Sequence, residues 1–212
     1  SVRLDLEGSD KLTGQTIRIG SLTSGNTNHL KLNNSDIALY APGPVAAIDE
    51  KIKIVGLTNS SSLTIHGITE ESRGKTGKAH LTAAVYVEDG SKLNFSGSVL
   101  TFENALIVNE GETNFKELSN TELHASLYQT AGKLDVGAGA EVLSDKSVEV
   151  TGGGMNVAGV LTSNTLVVQN AEANVAGSLK TGTLTLGTKN KVLSQTTLSI
   201  TNGGQAHFEQ AE

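Results

Sequence analysis

Residues 84–90 read AVYVEDG, 105–111 ALIVNEG, 126–132 SLYQTAG and 147–153 SVEVTGG, four segments that align without a gap. Their first residues, Ala84, Ala105, Ser126 and Ser147, lie 21 apart at each step. Further copies, TLVVQNA from Thr165, TLTLGTK from Thr183 and TLSITNG from Thr197, follow at steps of 18, 18 and 14. The second and fourth positions are apolar: Val85 and Val87, Leu106 and Val108, Val148 and Val150, Leu166 and Val168, Leu184 and Leu186, Leu198 and Ile200. Gln129 interrupts the set. Alternation with period two describes a strand with one buried face. The third position then faces outward, and in three consecutive copies it is Tyr86, Ile107 and Tyr128.

Beyond this strand each copy continues in the same way. Gly90, Gly111, Gly132 and Gly153 close the segment, where a bend with positive φ is expected. A second strand carries a small polar residue before an apolar one: Asn94 and Phe95, Asn114 and Phe115, Asp135 and Val136, Asn156 and Val157, Asn174 and Val175. A third apolar patch holds Val99 and Leu100, Val142 and Leu143, Val160 and Leu161, and Leu179. A unit this short cannot bury its own apolar face, so copies must stack, each strand pairing with its equivalent one rung away. The expected fold is all-β: one single-stranded parallel β-helix over residues 1–212, with rungs of 18–21 residues. Right-handed coiling follows from the general handedness of parallel crossovers. The column Asn94, Asn114, Asp135, Asn156 and Asn174 reads as a structural ladder of stacked amides at a turn.

The first third is less regular. TIRIG from Thr16 and KIKIVG from Lys51 resemble the first strand, and SLTIHG from Ser62 the second. Two insertions are expected between them, residues 33–50 with Pro42 and Pro44, and residues 69–80 with Arg73, Lys75 and Lys78. Loops on a rigid scaffold commonly carry recognition; the basic trio, partly neutralised by Glu70 and Glu71, reads first as the ordinary charge of a solvated loop and second as a contact for an anionic glycan surface.

Composition narrows the class. Gly numbers 24 of 212 residues, Pro 2, Cys 0, Trp 0, and aromatics are 3%, so Val, Leu, Ile and Ala must fill a thin repetitive core. Without Cys there are no disulfides, thiolate nucleophiles or Cys-ligated metals. A net charge of −6 argues against nucleic acid as a partner. No apolar run reaches the ~18–20 residues of a membrane helix, and SVRLDLEGSD lacks a signal peptide's layout, so a trimmed segment of a longer chain is expected.

Rungs such as SVEVTGGGMNVAGVLTS and TLVVQNAEANVAGSLKT, within residues 84–208, resemble the passenger regions of bacterial autotransporters, the pertactin-like and AIDA-like adhesin group. The resemblance implies export through the outer membrane of a Gram-negative bacterium, display at the cell surface, and adhesion or self-association.

Catalytic and metal patterns are missing. GKTGK at 74–78 lacks the spacing of a phosphate loop, since Gly67 and Gly74 stand too far apart. His29, His66, His80, His124 and His207 show no zinc spacing, and the acidic residues do not recur in register as a glycosidase or lyase would require. The expectation is a non-enzymatic module without cofactor or metal. Tyr86, Ile107 and Tyr128, with Arg73, Lys75 and Lys78, are its candidate contact residues, toward a second copy or a protein or glycan on another surface; for the stripe of Tyr86, Ile107 and Tyr128 the equal alternative is that the insertion at 69–80 folds over it and covers it. A passive stalk is the other expectation, and a polysaccharide-cleaving β-helix a third.

Overall fold

A computed structural model describes residues 3–13, 28–42, 52–70, 75–76, 83–97, 100–102, 106–187 and 197–208. They contain strands, turns and bends and no helix. The chain enters through β1 (Arg3–Thr13) and β2 (Asn28–Pro42), then β3 (Ile52–Thr58), β4 (Ser62–Glu70) and the two-residue β5 (Lys75–Thr76). Regular rungs follow: β6 (Ala84–Val87), β7 (Lys92–Gly97) and β8 (Leu100–Phe102); β9 (Leu106–Asn109), β10 (Glu112–Phe115) and β11 (Asn120–Leu123); β12 (Ser126–Gln129), β13 (Lys133–Val136) and β14 (Glu141–Ser144). The last are β15 (Ser147–Val150), β16 (Gly154–Val157), β17 (Val160–Val168), β18 (Glu172–Val175), β19 (Ser178–Leu186) and β20 (Thr197–Phe208).

Every pairing among these strands is parallel except β4 with β5. Each strand pairs with its equivalent in the next rung, which makes the chain a parallel β-helix of stacked coils, as the repeat required. On the first face, pairing runs through Leu4, Leu30, Val55, Val85, Ile107, Leu127, Val148, Leu166, Leu184 and Ala206, each about 4.8 Å from the next. Inside lie columns of Leu, Val, Ile and Ala, with Phe95 and Phe115 stacked at 4.9 Å between ring centroids and 9° between planes. The pleat sends alternate residues inward, so an apolar residue at every second position suffices to fill the lumen.

Four sequence expectations need correction. The copy beginning at Ala105 is out of register by one: Leu106 pairs with Ala84, Ile107 with Val85, Val108 with Tyr86 and Asn109 with Val87. Ile107 is fully buried and Val108 takes the outward place expected for it. The cause is a shortened first corner. The Phe95–Phe115 stack fixes β10 on β7, while residues 110–111 span the corner that residues 88–91 span in the rung before. The chain compensates by turning Asn109 inward, where its Nδ2 donates to Gln129 Oε1 (3.0 Å) and to the Lys133 carbonyl (3.0 Å).

TLSI from Thr197 is a third-face strand, pairing with 178–181, and the first-face strand of that rung is 205–208. A step of 14 residues is too short to circle the rod, whereas Thr183 to Gln205 is not. The insertion expected over 33–50 does not include its first part: Asp36 to Pro42 pair in register with Ser62 to Ile68 as a second-face strand, after a corner at Asn34 with φ 48°. Pro42 stands at the strand's end, where its missing N–H is tolerated. Residues 43–50 lie outside the described residues. Finally, Gly90, Gly132 and Gly153 have φ of 76°, 72° and 73°, but Gly111 does not share that conformation. It is required by close approach, because a Cβ there would overlap the carbonyl oxygens of Ser91 and Glu88.

The first corner is therefore built in two ways. In the early rungs a buried serine column serves: Ser35 N–H donates to Ser61 Oγ (3.1 Å) and Ser61 N–H to Ser91 Oγ (3.2 Å). From Gly111 onward glycine replaces it, and backbone donors of the next rung, Lys133 and Gly154, reach the carbonyls of Gly111 and Gly132 at 2.8 and 2.9 Å.

Candidate interaction face

The outer surface of the first sheet carries two adjacent columns. One runs Gly56, Tyr86, Val108, Tyr128 and Glu149; its neighbour runs Ile54, Ala84, Leu106 and Ser126. Tyr86 is 42% and Tyr128 37% exposed, while Ile54, Ala84, Leu106 and Val108 are half-buried. Together they form one apolar strip four rungs deep. It is wider than the sequence indicated, because Leu106, expected inside, stands outside with Val108. Next to Tyr86, Gly56 leaves open space where a Cβ would be.

Charge lines both long edges. At the first corner Glu88, Asp89 and Glu110 are exposed. At the third corner His124 Nδ1 lies 3.0 Å from Asp145 Oδ2 and Nε2 lies 3.8 Å from Glu122, with Lys146 Nζ 4.0 Å from the same Asp145 oxygen. An apolar centre with a charged rim is the usual anatomy of a protein interface.

Of the basic cluster, Arg73 and Lys78 lie outside the described residues. Lys75 is in β5, paired antiparallel with Glu70. Residues 62–67 of β4 pair with β7, and 69–70 leave that ladder to pair antiparallel with β5. Among the described residues, this rung has no third-face strand.

The amide column lies mid-strand on the second face rather than at a turn. Asn94, Asn114, Asp135, Asn156 and Asn174 are in register through five rungs. Asn114 Nδ2 donates to Asn94 Oδ1 (3.0 Å), and Asn94 Nδ2 to Ser62 Oγ and Thr64 Oγ1, both at 3.2 Å. Beside it runs Lys92, Glu112 and Lys133, with Lys92 Nζ 3.0 Å from Glu112. The hydrogen bond from Lys92 holds the Glu112 carboxyl below its ordinary pKa against the opposing effect of burial, helped by Asn114 and the charge of Lys133. The two columns touch through Glu112 with Asn114 and through Lys133 Nζ, 3.5 Å from Asp135 Oδ1.

His66 Nδ1 and Ser96 Oγ are 2.6 Å apart, as register neighbours on the same outer face. Among the described residues no group of three or more His, Cys, Asp or Glu is placed to hold a metal ion.

The chain matches no protein-family model, no curated protein and no solved structure.

Proposed function

We propose that this chain is a surface-displayed β-helical module of the autotransporter-passenger kind, exported through an outer membrane, that works by lateral contact in adhesion or self-association and performs no catalysis. The observation that carries this reading is the strip Tyr86, Val108 and Tyr128 flanked by Ile54, Ala84 and Leu106. Surfaces leave contiguous apolar area uncovered where something binds. Tyrosine supplies rigid contact area with a polar tip, which makes it a frequent interface anchor. A strip carried on the strands of a parallel sheet is also presented without any conformational change.

Sedimentation velocity over a concentration series tests this. An elongated particle whose mass rises with concentration, and which stays monomeric when Tyr86 and Tyr128 are both replaced by Glu, is the expected result for self-association. If wild type is an elongated monomer throughout, adhesion of the full-length protein to cells decides: loss of adhesion in the same variant upholds lateral contact. Unchanged adhesion and no association overturn it. The second reading would then stand, a stalk whose unbroken first-face pairing from Leu4 to Ala206 holds another domain at a distance.

A further inference from the structure

We propose that the rung formed by β9, β10 and β11 holds ordered water inside the solenoid, one molecule at each of its first two corners. Four side-chain oxygens in that rung are buried without a hydrogen-bond partner: Asn109 Oδ1, Thr113 Oγ1, Ser119 Oγ and Thr121 Oγ1. Their residues are at most 1% exposed. Among the described residues, every such orphaned side-chain atom belongs to this rung.

The amide of Asn109 cannot be turned to remove its orphan. Its Nδ2 already donates to Gln129 Oε1 and the Lys133 carbonyl, so exchanging N and O would set Oδ1 against two acceptors. Gln129 has no donor to lend, since its Nε2 serves the carbonyls of Gly152 (3.0 Å) and Gly154 (2.8 Å). Thr113 is the first inward residue after the corner for which Asn109 is the last before it. An acceptor and a hydroxyl thus flank the corner at residues 110–111. At the second corner Ser119 and Thr121, two residues apart in the sequence, add two further buried hydroxyls, each able both to give and to accept a hydrogen bond from water.

Room accompanies the polarity. Thr113 lies in a column between Leu93 and Leu134, and Thr121 between Leu100 and Val142. A threonine is shorter than the leucine it stacks on and turns a hydroxyl that needs a partner into the column, and buried water in proteins meets such groups with about two to four hydrogen bonds. The shortened corner accounts for the first of the two sites, because it is what turns Asn109 into the lumen.

Crystals diffracting well enough to resolve water, together with water-to-protein NOEs in solution, test this on the intact chain. Expected is density within hydrogen-bonding distance of Asn109 Oδ1 and Thr113 Oγ1, a second site at Ser119 and Thr121, and long-lived water NOEs to both threonines. Thr113→Val should lose the first site and keep the second, and Thr121→Val the reverse. Direct Thr113–Asn109 and Ser119–Thr121 bonds with neither density nor NOE would overturn the proposal. So would a monovalent cation, detected by anomalous scattering from a rubidium soak, or NOEs unchanged in both variants.

Discussion

Gln129 occupies a place that Val87 holds two rungs before and Val150 holds one rung after, and it is as fully buried as they are. It is tolerated because its amide is completely used: three contacts at 3.0 Å or less to Asn109, Gly152 and Gly154. Replacing it by Leu would take the Gln129 donor from two carbonyls and leave Asn109 Nδ2 with the Lys133 carbonyl alone. The expected loss is about 2–3 kcal/mol in urea unfolding, from buried polar groups left without partners. The glycines make a graded pair. At Gly90, with φ 76°, a Cβ would meet only Ser60 Oγ at 3.5 Å, so Gly90→Ala should cost about 1–2 kcal/mol for the left-handed backbone alone. At Gly132, with φ 72°, the Cβ would overlap the carbonyls of Gly111 and Glu110, so Gly132→Ala should cost clearly more in the same assay. Gln129 was visible in the sequence as a break in the apolar pattern. Asn109 was not, because a gapless alignment placed it beyond the strand and read Val108 as the inward residue.

Among the elements, β10 is the most informative. Its pairing to β7 and β13 aligns Lys92, Glu112 and Lys133 outside and stacks Phe115 on Phe95 inside. The Glu112 carboxyl titrates below the ordinary value of 4.5 in the folded chain. A depressed carboxylate pKa means stability present above the unfolded pKa and lost as pH falls through the folded one. Both partners are about half exposed, so the stability difference between wild type and Glu112→Gln should be no more than about 1 kcal/mol at neutral pH. It should hold down to about pH 5, shrink below 4.5, and shrink also in concentrated salt. A difference that grew on acidification would contradict the assignment. At this scale the strands with Asn followed by an apolar residue were fully legible, since register there follows from a repeated pair. The first-face strand of β9 was misread because the same two signals disagree: Ala84 to Ala105 is 21 residues, but Asn94 to Asn114 is 20. Trusting the second spacing, which a buried Phe enforces, gives the observed core.

For the whole molecule, period and stacking were readable from composition and repeats, because a chain with so few rings and so much Gly, Val and Leu has few other ways to close a core. The insertion at 33–50 was overestimated since Pro42 and Pro44 drew attention from the alternation in SDIALYA that precedes them. The lateral strip was half legible: Tyr86 and Tyr128 were identified, whereas Leu106 and Val108 depended on the corner length that no local pattern announces. The strip and the polar lumen are thus two sides of one event, the slip of β9. Outward it sets Val108 between the tyrosines, and inward it sets Asn109 against Gln129.

That slip is directly measurable, since the chain has no cysteine of its own. Paired residues in adjacent parallel strands stand within the Cα separation of about 4.4–6.8 Å that a disulfide needs, provided both side chains leave the same face. Oxidation of the double variant Tyr86→Cys with Val108→Cys should give an intramolecular disulfide, and Tyr86→Cys with Ile107→Cys should leave free thiols. The opposite pattern, a disulfide with position 107 and none with 108, would restore the uncorrected alignment and contradict both the interaction strip and the polar lumen.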